Sequence, residues 1–247
     1  MKPDCAIALC LLVTLGCEDR PKPAPALTPP PSSATAEAPR TPEPERPPEL
    51  VIDAVGVKVG YNRVLLDKPE GAQRLQQELS AVKSQLGRAV EPIRVERAAQ
   101  LSWVMRLLSA LAEQGVSKVS IKTESRKEFA GELPFVPARE AKDAPACSVV
   151  AMVLEDRATA VWKLSGGVAM KRARGFAGPD LTMTGETLER FGKACKDSSL
   201  LFVSAAPGVE WGQVFDLAAS AKALPTVRFE QFVVLGETPT PGHKVAP

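Results

Sequence analysis

The side chains best able to do chemistry in this chain of 247 residues are five cysteines, at positions 5, 10, 17, 147 and 195. A thiol can be acylated, paired as a disulfide, or used as a nucleophile or metal ligand. The last two uses need a base or further ligands close by, and histidine is the usual supplier. Here the single histidine, His243, lies in a Pro-containing carboxyl-terminal segment and reads as a disordered tail residue. The sequence has no metal-spaced Cys/His cluster, no glycine-rich phosphate loop opening a helix and no serine in a nucleophile elbow. Ser165-Gly166-Gly167 follows an apolar run and reads as a turn, and Glu155-Asp156 fall in a hairpin turn. The residues therefore argue for a non-catalytic protein with no metal and no cofactor.

Acylation is the chemistry favoured at the amino terminus. Lys2 supplies a positive start, and Cys5 to Leu15 is apolar but too short to cross a hydrocarbon core of about 30 Å as a helix. The stretch ends in Val13-Thr14-Leu15-Gly16-Cys17, which resembles the lipobox of bacterial lipoproteins, with Thr14 where leucine is commonest and Asp4 an unusual charge upstream. That resemblance implies a signal peptide over residues 1–16 and lipidation of Cys17. An ordinary secretory signal is the alternative, and either exports the chain. The expected location is the periplasmic side of the cell envelope, anchored by lipid to the inner or outer membrane. Two or more acyl chains would make that anchor stable.

Residues 17–49 then read as a tether. From Arg20 to Pro48 proline, alanine, threonine, serine and glutamate dominate, a composition that cannot bury a core and favours extended polyproline II. Fully extended, it would reach on the order of 90 Å. With Cys5 and Cys10 removed and Cys17 acylated, Cys147 and Cys195 remain as an even pair in an oxidising compartment. A disulfide between them is expected, and two buried free thiols are the alternative. A net charge of +2, from 31 basic and 29 acidic residues, creates no field for nucleic acid.

The elements around these cysteines are written twice. Over residues 50–124 the pattern gives paired strands (Leu50 to Val59, Tyr61 to Leu66), a helix with the stripe Leu75, Leu79, Val82 and Leu86, a strand (Pro92 to Arg97), a helix carrying Trp103 and capped by Ser102, and a strand (Val116 to Thr123). Residues 148–237 repeat the order. Strands span Ser148 to Leu154, Ala158 to Leu164, Leu200 to Ser204 and Val227 to Leu235, one helix starts at Thr184, and another carries Trp211. Residues 125–147 read as a linker and 238–247 as a tail. The prediction is an α+β protein of two tandem domains, each a small mixed sheet with two helices packed on one face. The last strand is long and apolar, an edge that wants a partner. Gly56 and Asn62 read as turn formers, and the two tryptophans as core.

The first copy resembles the periplasmic domain of the ExbD/TolR family of biopolymer-transport proteins. The residues that carry the likeness are Val51-Ile52-Asp53-Ala54-Val55-Gly56-Val57-Lys58-Val59-Gly60-Tyr61-Asn62, Pro92-Ile93-Arg94-Val95, the run from Trp103 to Gly115, and Val119-Ser120-Ile121. The second copy is similar through Leu201-Phe202-Val203-Ser204, Trp211 to Phe215, and Phe229-Glu230-Gln231-Phe232. Two features depart from the family: no mature stretch of about 20 apolar residues carries a membrane aspartate, and Ala98 and Ala206 stand where an aspartate is usual. The resemblance implies a non-catalytic accessory of a proton-motive-force-driven transport or envelope motor, with ExbB/TolQ-type or TonB/TolA-type proteins as partners. It also implies that the two repeats form a pseudo-dimer. The alternative is a structural lipoprotein that binds peptidoglycan.

Overall fold

The computed structural model describes residues 48–87, 91–196 and 198–247. Its elements follow the doubled programme: β1 Leu50–Ile52, β2 Val57–Val59, β3 Asn62–Val64, α1 Gly71–Ala81, β4 Glu91–Val95, α2 Leu101–Glu113 and β5 Val119–Lys122 come first. Next is β6 Glu132–Pro137, inside the segment read as a linker. The second run is β7 Val149–Val153, β8 Thr159–Lys163, β9 Met170–Arg172, a small hairpin of β10 Arg174–Gly175 and β11 Gly178–Pro179, α3 Leu181–Lys193, β12 Leu200–Ala205, α4 Trp211–Lys222 and β13 Gln231–Val234.

The strands other than β10 and β11 join in one mixed sheet of 11, in the order β3-β2-β1-β4-β5-β6-β13-β12-β7-β8-β9. The expectation of two small sheets is thus corrected to a single continuous one. β6 makes the join, antiparallel to β5 through Val119↔Phe135 and parallel to β13 through Phe232↔Phe135. It places the apolar strand β13 in the interior rather than at an edge. The two halves mirror each other about β6, β3-β2-β1-β4-β5 on one side and β9-β8-β7-β12-β13 on the other. The helices pack on one face in the matching order α1, α2, α4, α3.

Local chemistry sets several element ends. Asp53 Oδ1 accepts from Val55 N at 2.8 Å and Gly56 N at 3.0 Å, so the stretch predicted as one strand folds back into β1 and β2. A Cβ on Gly56 would meet Val64 O at 2.4 Å, which explains glycine at this close approach. α3 is capped by Asp180, whose carboxylate accepts from Met183 N at 3.0 Å, four residues before the expected cap at Thr184. α2 likewise follows Gln100 rather than Ser102.

The sheet's second face changes character at β6. In the first half the strands alternate, as in β4, where Glu91, Ile93 and Val95 are buried while Pro92 and Arg94 are exposed. In the second half Val150, Met152, Ala160, Trp162, Phe202 and Val233 make a second apolar cluster on that face. Residues 138–141 form a 3-10 turn that packs there through Ala138 and Ala141. The segment 238–247, expected to be disordered, lies against the same cluster. Val245 is buried and its N–H donates to Leu164 O, Gly167 N donates to Gly242 O at 2.8 Å, and Trp162 Nε1 donates to His243 O at 3.0 Å. A strand apolar on both faces needs two covers, and this segment supplies part of the second.

Candidate functional site

Among the described residues, a seam of backbone and side-chain contacts forms where the two helix starts meet. Gln100 and Glu210, the residues just before α2 and α4, pair in an isolated antiparallel bridge. Trp211 N donates to Ala99 O at 2.9 Å and Gly212 N to Arg97 O at 2.8 Å, so the first turn of α4 finds its acceptors in the other half. Gly212 is required here, because a Cβ would come within 2.9 Å of the Arg97 Cβ.

Side chains reinforce the seam. Arg97 forks onto Asp216, Nη1 to Oδ1 at 3.0 Å and Nη2 to Oδ2 at 2.8 Å, and also donates to Glu124 O at 2.7 Å. Arg126 Nε lies 3.5 Å from Asp216 Oδ2. The Asp216 side chain is only 5% exposed, so both cations answer a carboxylate removed from water. The hydrogen bond to Asp216 holds the Arg97 guanidinium above its already high range. Trp211 is fully buried, donates from Nε1 to Thr123 Oγ1 at 2.8 Å, and packs against Phe135 and Phe215 with ring centroids 5.6 and 5.9 Å apart. Strand β6, through Phe135, therefore belongs to this seam.

Two clefts flank it. One of about 460 Å³ lies between the loops before α2 and α4, walled by Ala98, Leu101, Met105, Ala206, Pro207 and Val209. The other, about 680 Å³, opens at the ends of β4 and β5, with Arg94, Arg97 and Lys122 set among Glu96 and Glu124. Neither is lined by a histidine or a cysteine. Among the described residues, no group of three His, Cys, Asp or Glu side chains could hold a metal ion, and no helix is long and apolar enough to cross a membrane. The arrangement is one of shape and hydrogen bonding.

The sites expected from the sequence fall elsewhere. Cys147 and Cys195 are joined with Cα atoms 5.4 Å apart, tying the start of β7 to the end of α3. Cys17 lies outside the described residues. Asn62 donates from Nδ2 to Glu78 Oε2 at 2.7 Å, binding β3 to α1. Trp103 is the third residue of α2 while Trp211 is the first of α4, so the two are offset by two positions once the bridged residues Gln100 and Glu210 are aligned. Sequence reasoning passed over Arg97, Thr123, Phe135 and Asp216. A signal was there for the last: Asp216 interrupts Trp211-Gly212-Gln213-Val214-Phe215-Asp216-Leu217-Ala218-Ala219, and a carboxylate inside so apolar a helix must meet a cation.

Comparison with known proteins returned no matching protein family, no matching curated protein and no matching solved structure.

Proposed function

We propose that this is a lipid-anchored envelope protein resembling ExbD/TolR, acting by binding as a non-catalytic accessory of a proton-motive-force-driven transport or envelope motor. The observation that carries the reading is the mirrored strand order about β6, with Gln100 and Glu210 paired where the two halves meet. A small domain that associates in pairs gives this arrangement when two copies are fused, and the seam then serves as a built-in dimer interface. In this reading lipid at Cys17 holds the chain on the periplasmic side of a membrane, and the tether lets the pseudo-dimer meet ExbB/TolQ-type or TonB/TolA-type partners away from the lipid surface.

The test is crosslinking in cells expressing the full-length chain, followed by pull-down and mass spectrometry. Recovery of an ExbB/TolQ-type subunit, reduced by Cys17→Ala, is the expected result. Recovery of peptidoglycan fragments with no motor subunit would replace this reading with that of a wall-binding lipoprotein.

A further inference from the structure

The second half carries a protrusion that the first half lacks. In the first half residues 65–70 alone connect β3 to α1, whereas β10 and β11 intervene between β9 and α3. This hairpin pairs Arg174 with Pro179 and Gly175 with Gly178, which leaves Phe176 and Ala177 at its tip. Phe176 is completely exposed, at 109% of its reference surface, the most exposed large apolar side chain among the described residues. Residues 170–179 read Met-Lys-Arg-Ala-Arg-Gly-Phe-Ala-Gly-Pro, with three cations and no carboxylate. Lys171 reaches Asp156 Oδ2 at 2.8 Å and Arg172 donates to Thr187 Oγ1 at 2.6 Å. Arg174 is exposed and has no partner among the described residues. The nearest carboxylate along the chain, Asp180, is occupied in capping α3.

A lone ring on a convex tip, flanked by glycine and alanine, lacks the surrounding apolar contacts that make an aromatic residue a protein-binding hot spot. A fluid interface has no such requirement, since it closes around whatever enters it. Arg174 lies two residues behind Phe176, about 7 Å along an extended chain. That offset would set the ring at the acyl boundary and the guanidinium among the phosphates, within the roughly 5–10 Å depth of interfacial binding. We propose that the hairpin tip inserts into an anionic lipid surface, with Phe176 as the wedge and the unpartnered Arg174 as the phosphate contact. The contact rests on the envelope reading only for the nearness of a membrane and does not require lipid on Cys17.

The test uses the full-length chain carrying Phe176→Trp, mixed with vesicles of phosphatidylglycerol and phosphatidylethanolamine or of phosphatidylcholine, each with nitroxide-labelled lipid. Trp103, Trp162 and Trp211 are all buried, so the indole introduced at position 176 is the one such lipid can reach. Blue-shifted emission and lipid quenching are expected on the anionic vesicles, falling roughly fivefold in affinity with Arg174→Gln and lost at high salt. An indole at position 176 as open to aqueous iodide on anionic vesicles as on phosphatidylcholine overturns the proposal. Flotation separates the two readings. A chain that floats with both vesicle types while this indole stays wet keeps its anchor and has no inserting tip. A chain that floats with anionic vesicles alone, with the indole quenched, has the tip without the anchor.

Discussion

Glu91 and Asp216 are both carboxylates withdrawn from water, and among the described residues only Asp216 meets a cation. Glu91 Oε2 accepts a long bond of 3.4 Å from Gly87 N, and Oε1 has no partner among the described residues. Burial therefore pushes the Glu91 carboxyl above its ordinary range, opposed only by that one backbone contact. With the folded value above the unfolded one, the fold favours the protonated form. The favourable contribution is complete below the unfolded value and is lost as pH rises through the folded one. Glu91→Gln should then be more stable than the natural chain at pH 7.5, with the gap closing as pH falls toward the ordinary carboxylate range near 4. Urea midpoints of both proteins at the two pH values measure it, and an equal difference at both would show that the charge of Glu91 costs nothing.

Elements were legible where the apolar period was clean, as in the continuous apolar runs of β7, β8 and β12. α1 was legible through Leu75 and Leu79 but ends at Ala81 without a side-chain cap at its start, so Val82 is only its C-cap and Leu86 lies beyond a following 3-10 turn. β6 was not, because Glu132, Pro134 and Pro137 give it the composition of a linker. Its prolines are tolerated for a local reason: Pro134 pairs with Ser120 on β5, while pairing with β13 begins only at Phe135, and Pro137 is the last residue of the strand. The carboxyl-terminal segment was misread for a similar reason, since its hold on the sheet comes mainly from backbone hydrogen bonds that composition does not reveal. At the seam, the aromatic and apolar members were visible and the polar ones were not, because Arg97 and Asp216 stand 119 residues apart in the chain. The Cys147–Cys195 link shows what a covalent tie between elements contributes: it closes a loop with a separation of 48 residues, which constrains the unfolded chain by about 2–4 kcal/mol. Replacing both cysteines by serine should lower the urea unfolding free energy by that amount. A reducing agent should do the same to the natural chain and leave the double variant unmoved.

At the scale of the whole molecule, the shared strand and the seam make the two halves one cooperative unit. β6 hydrogen-bonds to both, α4 takes its first acceptors from the loop before α2, and Asp216 holds Arg97 and Arg126 from the other run of elements. Unfolding either half would leave Phe135 and Trp211 exposed and Asp216 without its cations, so partial unfolding sacrifices contacts in the half that remains. A single transition is expected, with amide exchange at the slowest sites of β4 and β12 governed by the same free energy. Asp216→Ala removes charge-assisted hydrogen bonds and leaves a partly exposed Arg97 that water can reach, a loss of about 2 kcal/mol rather than the larger figure for a fully buried pair. Because the bond spans the halves, the variant should slow-exchange less in β4 and β12 alike, by the same free energy, and Arg97→Ala added to it should cost little more. If β12 loosens while β4 keeps its protection, the halves fold as separate domains that merely touch, and the seam is a contact between neighbours rather than the core of a pseudo-dimer.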